Sequence, residues 1–155
     1  MQINKLFIFF LSISLTQNSS LLQAHPTTIP NPVGEITSED KLHAALTSST
    51  PTLVMGYMNN CSHCAMLKPA YEKLATEHRK IDFVKVNGQQ HKMHNHVAQL
   101  TEGKKRIPGY PSIAFVKNGV ITDLLIGGNR NQLEAKIAEF EKDLKSDWKK
   151  FKSNF

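Results

Sequence analysis

Both cysteines of this chain stand close together, at Cys61 and Cys64 in the stretch "NNCSHCAMLKP". Two thiols at i and i+3 close almost no loop, so a bridge between them adds little stability. A structural disulfide framework needs more cysteines and wider spacing. The pair is therefore read as reactive or metal-binding. What precedes it, "PTLVMGYM", is a short apolar run after a proline, the pattern of a buried strand. From Cys61 the period becomes helical, with Leu67, Ala70, Tyr71 and Leu74 at helix spacing.

A strand that feeds Cys-x-x-Cys into a helix start is a physical device. The helix N-terminus offers unpaired N–H groups and a partial positive charge. A thiolate there is stabilised, which predicts that Cys61 titrates well below the free-thiol value of about 8.5. His63, when protonated, adds a cation beside the sulfur. Cys61 is then the nucleophile, and Cys64, one turn in and more buried, is the resolving thiol. Exchange runs through thiolate attack on a disulfide, a mixed disulfide, and release by Cys64, in either direction.

The other elements must position this pair. "ITSEDKLHAAL" reads as a helix starting near Thr37 or Ser38, with acids in its first turn. "IDFVKV" (81–86) reads as a second strand, and a helix is expected around 90–101. "PSIAFVK" and "VITDLLI" flank Asn118–Gly119, a strong hairpin signal. The C-terminal stretch is a helix with an apolar stripe of Leu133, Ile137, Phe140, Leu144, Trp148 and Phe151. Asn131 and Glu134 have the spacing of a capping box at its start. Pro69 lies inside the active-site helix and should kink it. The element order β, α, β, α, β, α, β, β, α predicts an α/β fold with a central mixed sheet flanked by helices.

The chain has 155 residues, 40% of them apolar, and a formal charge of +6. That suits one globular domain. The excess charge is partly local, in "GKKR" and "KDLKSDWKKFK", and is not interleaved with aromatics as in a single-strand binder. No nucleic acid is expected as partner. "MQINK", then "LFIFFLSISL", then "TQNSSLLQA" has the layout of a secretory signal cleaved after Ala24. Residues 1–24 are read as that signal, 25–34 as an extended linker with three prolines, and 35–155 as the domain. The mature protein is expected in an exported, periplasmic or secreted compartment, as a monomer, touching a membrane only if the signal stays uncleaved.

Several landmarks together resemble the thioredoxin family, nearest in motif to the protein disulfide isomerase type, over about residues 35–145. "CSHC" resembles the family's Cys-x-x-Cys, with His63 placed as in oxidising members. Pro69 is similar to the proline of the family's active-site helix. "GYPS" (109–112) resembles the family's Gly-Tyr-Pro-Thr, which implies a cis Tyr110–Pro111 bond facing the cysteines. That edge would offer a substrate strand main-chain hydrogen bonds, making Tyr110 and Pro111 substrate-binding residues. "VKVNG" (84–88), "FVKNG" (115–119) and "GG" (127–128) resemble the third strand, the terminal hairpin and the turn after it. The resemblance implies a thioredoxin-like fold and a thiol:disulfide oxidoreductase with a redox-active Cys61–Cys64 disulfide. It implies no cofactor and no metal, with protein thiols and disulfides and an unnamed redox partner as its partners.

Three departures stand out. Asn60 replaces the aromatic residue that usually precedes the first cysteine. Met55 replaces the buried acid six residues upstream, and Lys85 is the nearest candidate substitute by family position. The connection from Asn87 to Pro111 is long and carries His91, His94 and His96. On one helix, 91 and 94 would share a face while 96 points nearly opposite 94, which argues against a shared metal. The competing function is a non-catalytic module of the same fold that binds a client or a metal through Cys61, Cys64 and histidine.

Overall fold

The computed structural model describes residues 32–153. The signal read at 1–24 and most of the linker read at 25–34 lie outside those residues, as does the Phe151 side chain. The elements follow the expected order: β1 (Val33–Ile36), α1 (Glu39–Leu46), β2 (Thr52–Tyr57), α2 (Ser62–Glu77), β3 (Asp82–Asn87), α3 (Met93–Leu100), β4 (Ser112–Lys117), β5 (Val120–Ile126) and α4 (Arg130–Ser153). One five-stranded sheet has the order β1-β3-β2-β4-β5. β1 and β2 both run parallel to β3, while β4 is antiparallel to β2 and β5 to β4. The strand that carries the cysteines is therefore central.

Alternation along each strand divides the core in two. Leu53 and Met55 of β2 join Phe83, Ile113 and Phe115 under α2 and α4. Val54 joins Val86, Ala114 and Val116 under α1 and α3. The α4 stripe seats Leu133, Ile137 and Phe140 in the first cluster, with Leu144 packed against it. Beyond that the helix outruns the sheet, and Trp148 is 58% exposed. Tyr71 ties α2 to the sheet: its buried hydroxyl lies 2.7 Å from the Leu53 carbonyl and 3.0 Å from that of Val84. Burial pushes this phenol well above its ordinary range.

Local chemistry explains most boundaries. Ser38 caps α1, its hydroxyl accepting from the Lys41 amide at 3.2 Å. Asn118 and Gly119 both take positive φ, 52° and 77°, as a two-residue primed hairpin turn needs. Two boundaries move. Val33 and Gly34, read as linker, belong to β1, which pairs with β3 over its whole length. A four-residue strand after a proline-rich stretch carries too few alternations to announce itself. The capping box of α4 is made by Asn129 and Gln132, not Asn131 and Glu134. The Asn129 side chain accepts from the Gln132 amide at 3.1 Å, and the Gln132 side chain accepts from the Asn129 amide at 3.0 Å. Glu134 instead meets Arg130 one turn back, at 2.6 Å.

Candidate active site

β2 ends at Tyr57, and four residues later Cys61 caps α2 in extended conformation. Asn60, just before it, has φ 56°. That left-handed conformation suits asparagine far better than an aromatic side chain, which gives the first departure a backbone reason. Cys61 Sγ accepts the Cys64 amide at 3.2 Å, and the Cys61 carbonyl accepts the Ala65 amide at 3.0 Å. No acid sits in the first turn of α2 to oppose the helix's positive end. Cys61 and Cys64 are joined as a disulfide, with Cα atoms 5.2 Å apart. Cys61 is half-buried and Cys64 is buried, the asymmetry expected of an attacking and a resolving sulfur. α2 runs unbroken through Pro69.

The Tyr110–Pro111 bond is cis. The Tyr110 carbonyl oxygen lies 3.7 Å from Cys61 Sγ, so this segment faces the more exposed sulfur. Its position is fixed by what is missing around it. A Cβ on Gly88 would overlap the Tyr110 ring, and one on Gly56 would meet Met93 Sδ at 2.5 Å and the Tyr110 ring at 2.8 Å. The ring thus fills a slot that exists only because β2 and the turn after β3 carry glycine there. Burial raises the Tyr110 phenol above its ordinary range, while the backbone of His94 opposes that rise. The hydroxyl is buried, and among the described residues none gives it a well-formed hydrogen bond, the His94 backbone included.

Away from this segment lies an open groove of about 500 Å³, lined among others by Met55, Tyr57, Cys61, Cys64, Lys85 and Glu35. Three of these form one cross-strand row: Glu35 of β1 pairs with Lys85 of β3, which pairs with Met55 of β2. Met55 is 1% exposed. Lys85, 8% exposed, has its ammonium 3.6 Å from Glu35 and 3.4 Å from Glu72 of α2. The Tyr57 hydroxyl donates to Glu35 at 2.8 Å. Burial first, and the Glu35 acceptor second, raise the Tyr57 phenol above its ordinary range. Lys85, the candidate substitute by family position, thus sits between two carboxylates.

His63 is exposed on the first turn of α2. The other histidines do not converge. His91 precedes α3, His94 is exposed on it, and His96 lies 3.6 Å from Glu39 with its ring 6.1 Å from that of His43. Among the described residues no three histidine, cysteine, aspartate or glutamate side chains form a metal-holding group. Glu35, Tyr57 and Glu72 escaped the sequence reading. The opposition of Glu35 and Lys85 is a matter of strand register, and no local pattern encodes it.

A five-stranded sheet with a cysteine pair at the mouth of its central strand and a cis-proline beside it defines a class of redox fold. The family model described as Thioredoxin matches residues 33–139, and the chain belongs to the thioredoxin family. It is 34% identical over 105 residues to a TPR repeat-containing thioredoxin of Oryza sativa subsp. japonica, covering 65% of this chain and 30% of that protein. It is 26% identical to Thioredoxin 1 of Plasmodium falciparum, over 68% of this chain and 94% of that one. The chain thus spans less than a third of the rice relative and nearly all of the Plasmodium one. Among solved structures, Malassezia sympodialis thioredoxin superposes with a TM-score of 0.58 at 25% identity, over 70% of this chain and 93% of that chain.

Proposed function

We propose that this protein is an exported thiol:disulfide oxidoreductase that exchanges disulfides with protein substrates through Cys61-Ser62-His63-Cys64. One observation carries the reading. Cys61 Sγ sits at the N-terminus of α2, accepts the Cys64 amide, and faces the Tyr110 carbonyl beside Pro111. A sulfur held by an N–H donor and the positive end of a helix is stabilised as thiolate. Export rests on the layout of residues 1–24 alone. His63, when protonated, adds a cation near the helix start, which favours the reduced form and makes the disulfide a better oxidant.

In the exchange, the Cys61 thiolate attacks one sulfur of a substrate disulfide. The Cys61–substrate bond forms, and the other substrate sulfur leaves as thiolate. Cys64, deprotonated, then attacks Cys61 Sγ. The Cys61–Cys64 bond forms, the second substrate sulfur leaves and takes up a proton, and the protein pair is oxidised as the substrate is reduced. Tyr110 and Pro111 serve as the edge against which a substrate strand lies. The test is reduction of insulin with dithiothreitol. Wild type should turn over, Cys61→Ser should be inactive, and Cys64→Ser should accumulate the mixed disulfide on Cys61. Stoichiometric copper or zinc uptake with no turnover would instead make it a metal-binding module.

A further inference from the structure

We infer that Glu35 is the proton acceptor for the resolving thiol Cys64, reached across the open groove that both residues line. The inference rests on the proposed exchange reaction. Cys64 must lose a proton before it can attack Cys61, and it is buried. A buried thiol holds its proton more tightly than a free one, so this step needs a base. The row beneath the disulfide offers none at its centre, because Met55 fills that place.

The ionisable side chains lining the groove besides the cysteines are Glu35, Tyr57, Lys68 and Lys85. As side-chain types, tyrosine and lysine are far weaker acids than a carboxylic acid, so a carboxylate is the acceptor suited to neutral pH. Lys68 and Lys85 also share Glu72 as an ion partner, at 3.9 and 3.4 Å. Among the described residues Glu35 is therefore the one carboxylate that itself lines the groove, Glu72 meeting it only as the ion partner of Lys68 and Lys85. It is aimed from both sides: Tyr57 holds one carboxylate oxygen at 2.8 Å and Lys85 lies 3.6 Å from the other. The groove is wide enough for water to bridge from Cys64 to it. The proton leaves Cys64 Sγ, passes to the Glu35 carboxylate, and returns to bulk solvent, since the Glu35 side chain is 41% exposed. In the reverse direction the protonated carboxyl returns a proton to Cys64 as it leaves as thiolate.

The test mixes the reduced full-length protein with oxidised glutathione, quenches with acid at millisecond intervals, and resolves the species by mass. The glutathionylated protein should appear and then give way to the internal disulfide. Glu35→Gln should slow that second step roughly tenfold at pH 7, the low end of general-base effects because a water intervenes. Its rate should rejoin wild type at alkaline pH, where hydroxide takes the proton, and Glu35→Asp should recover part of the loss. Glu77→Gln, which removes a carboxylate paired with Lys73 elsewhere on α2, should behave as wild type. Superimposable profiles for Glu35→Gln and wild type would overturn the assignment, as would slowing by the same factor at every pH. If no glutathionylated species forms on wild-type Cys61, the exchange reading itself fails first.

Discussion

Two unlike surfaces meet the Cys61–Cys64 pair. The Tyr110–Pro111 shelf is held by shape: a ring wedged against Gly56 and Gly88, its hydroxyl without a well-formed hydrogen bond among the described residues. The groove is held by charge: Glu35, Lys85 and Glu72 in a partly exposed chain of ion pairs, with Tyr57 donating into it. The shelf faces the more exposed sulfur and the groove reaches the buried one. The contrast fits the two tasks of the proposed disulfide exchange. Attack on a protein substrate needs a rigid backbone edge that tolerates many sequences. Release needs a route for a proton. Packing supplies the first and ionisable groups the second, so each surface should fail in its own way.

The sharpest break is Gly88→Ala. The added methyl would overlap the Tyr110 ring, which has no free space on the side of Gly56. Overpacking of this sort costs about 1–3 kcal/mol. Displacing the ring also moves the carbonyl that faces Cys61, so formation of the mixed disulfide should slow while its resolution keeps the wild-type pH profile. Denaturant midpoints and the quenched-flow time course measure the two effects. A variant as stable and as fast as wild type would mean that the shelf is not set by this slot.

Met55→Glu tests whether the two surfaces can exchange devices. It places a carboxyl in the packed row, opposite Lys85. Burying a polar group costs about 1–3 kcal/mol when it is only partly compensated, and the Lys85 ammonium limits the loss. In a Glu35→Gln background the new carboxyl should restore fast release at neutral pH. Alone, it should add little to a step that Glu35 already serves. No rescue in the double variant would show that proximity to Lys85 is not what release requires.

How much of this was legible beforehand divides along the same line. The disulfide and the hairpin announce themselves locally, with Cys61 and Cys64 at a strand-to-helix junction and Asn118–Gly119 at the turn. The cis Tyr110–Pro111 bond of the shelf was implied only by the resemblance of "GYPS" to a family motif, since a proline by itself favours trans. The groove is not local. Glu35 lies on a strand hidden in a proline-rich approach, and it meets Lys85 only because β1 and β3 pair in one particular register. Sequence pointed to Lys85 and to the missing acid at Met55, but not to the carboxylates that surround the lysine. The α4 cap shows the same limit at short range. Asn129 and Asn131 both have a capping partner three residues on, and only the preceding turn decides between them.

Tyr57→Phe should give a smaller change, confined to the groove. It removes one hydrogen bond to a carboxylate that is itself partly exposed. The expected loss is about 0.5–1.5 kcal/mol, the range of an ordinary hydrogen bond. The raised Tyr57 phenol fixes the sign with pH. Folding favours the protonated form, so its contribution is complete below the ordinary tyrosine value near 10 and fades as pH climbs above it. Wild type and Tyr57→Phe should therefore converge in stability on the alkaline side. Chemical denaturation at pH 7 and at pH 11 checks this, and a gap that widens with pH would refute it.

The smallest expected effect is the most diagnostic of the shelf. Tyr110→Phe keeps the ring that fills the slot and deletes a hydroxyl that is buried without a well-formed hydrogen bond. A buried polar group left unpaired costs about 1–3 kcal/mol, so its removal should leave stability unchanged or raise it slightly. The atom of Tyr110 that faces Cys61 is its carbonyl oxygen, which the substitution does not touch. Formation and resolution of the mixed disulfide should both run at the wild-type rate. Burial also raises the Tyr110 phenol, so wild type loses stability as pH rises through that range, and the phenylalanine variant should escape the loss. The variant should therefore match or exceed wild type at pH 7 and exceed it clearly at pH 11. A fall of more than about 1 kcal/mol at pH 7 would show that the hydroxyl is properly bonded, to the His94 backbone or to water. The shelf would then be held by polar contacts as well as by shape, and its contrast with the groove would be one of degree.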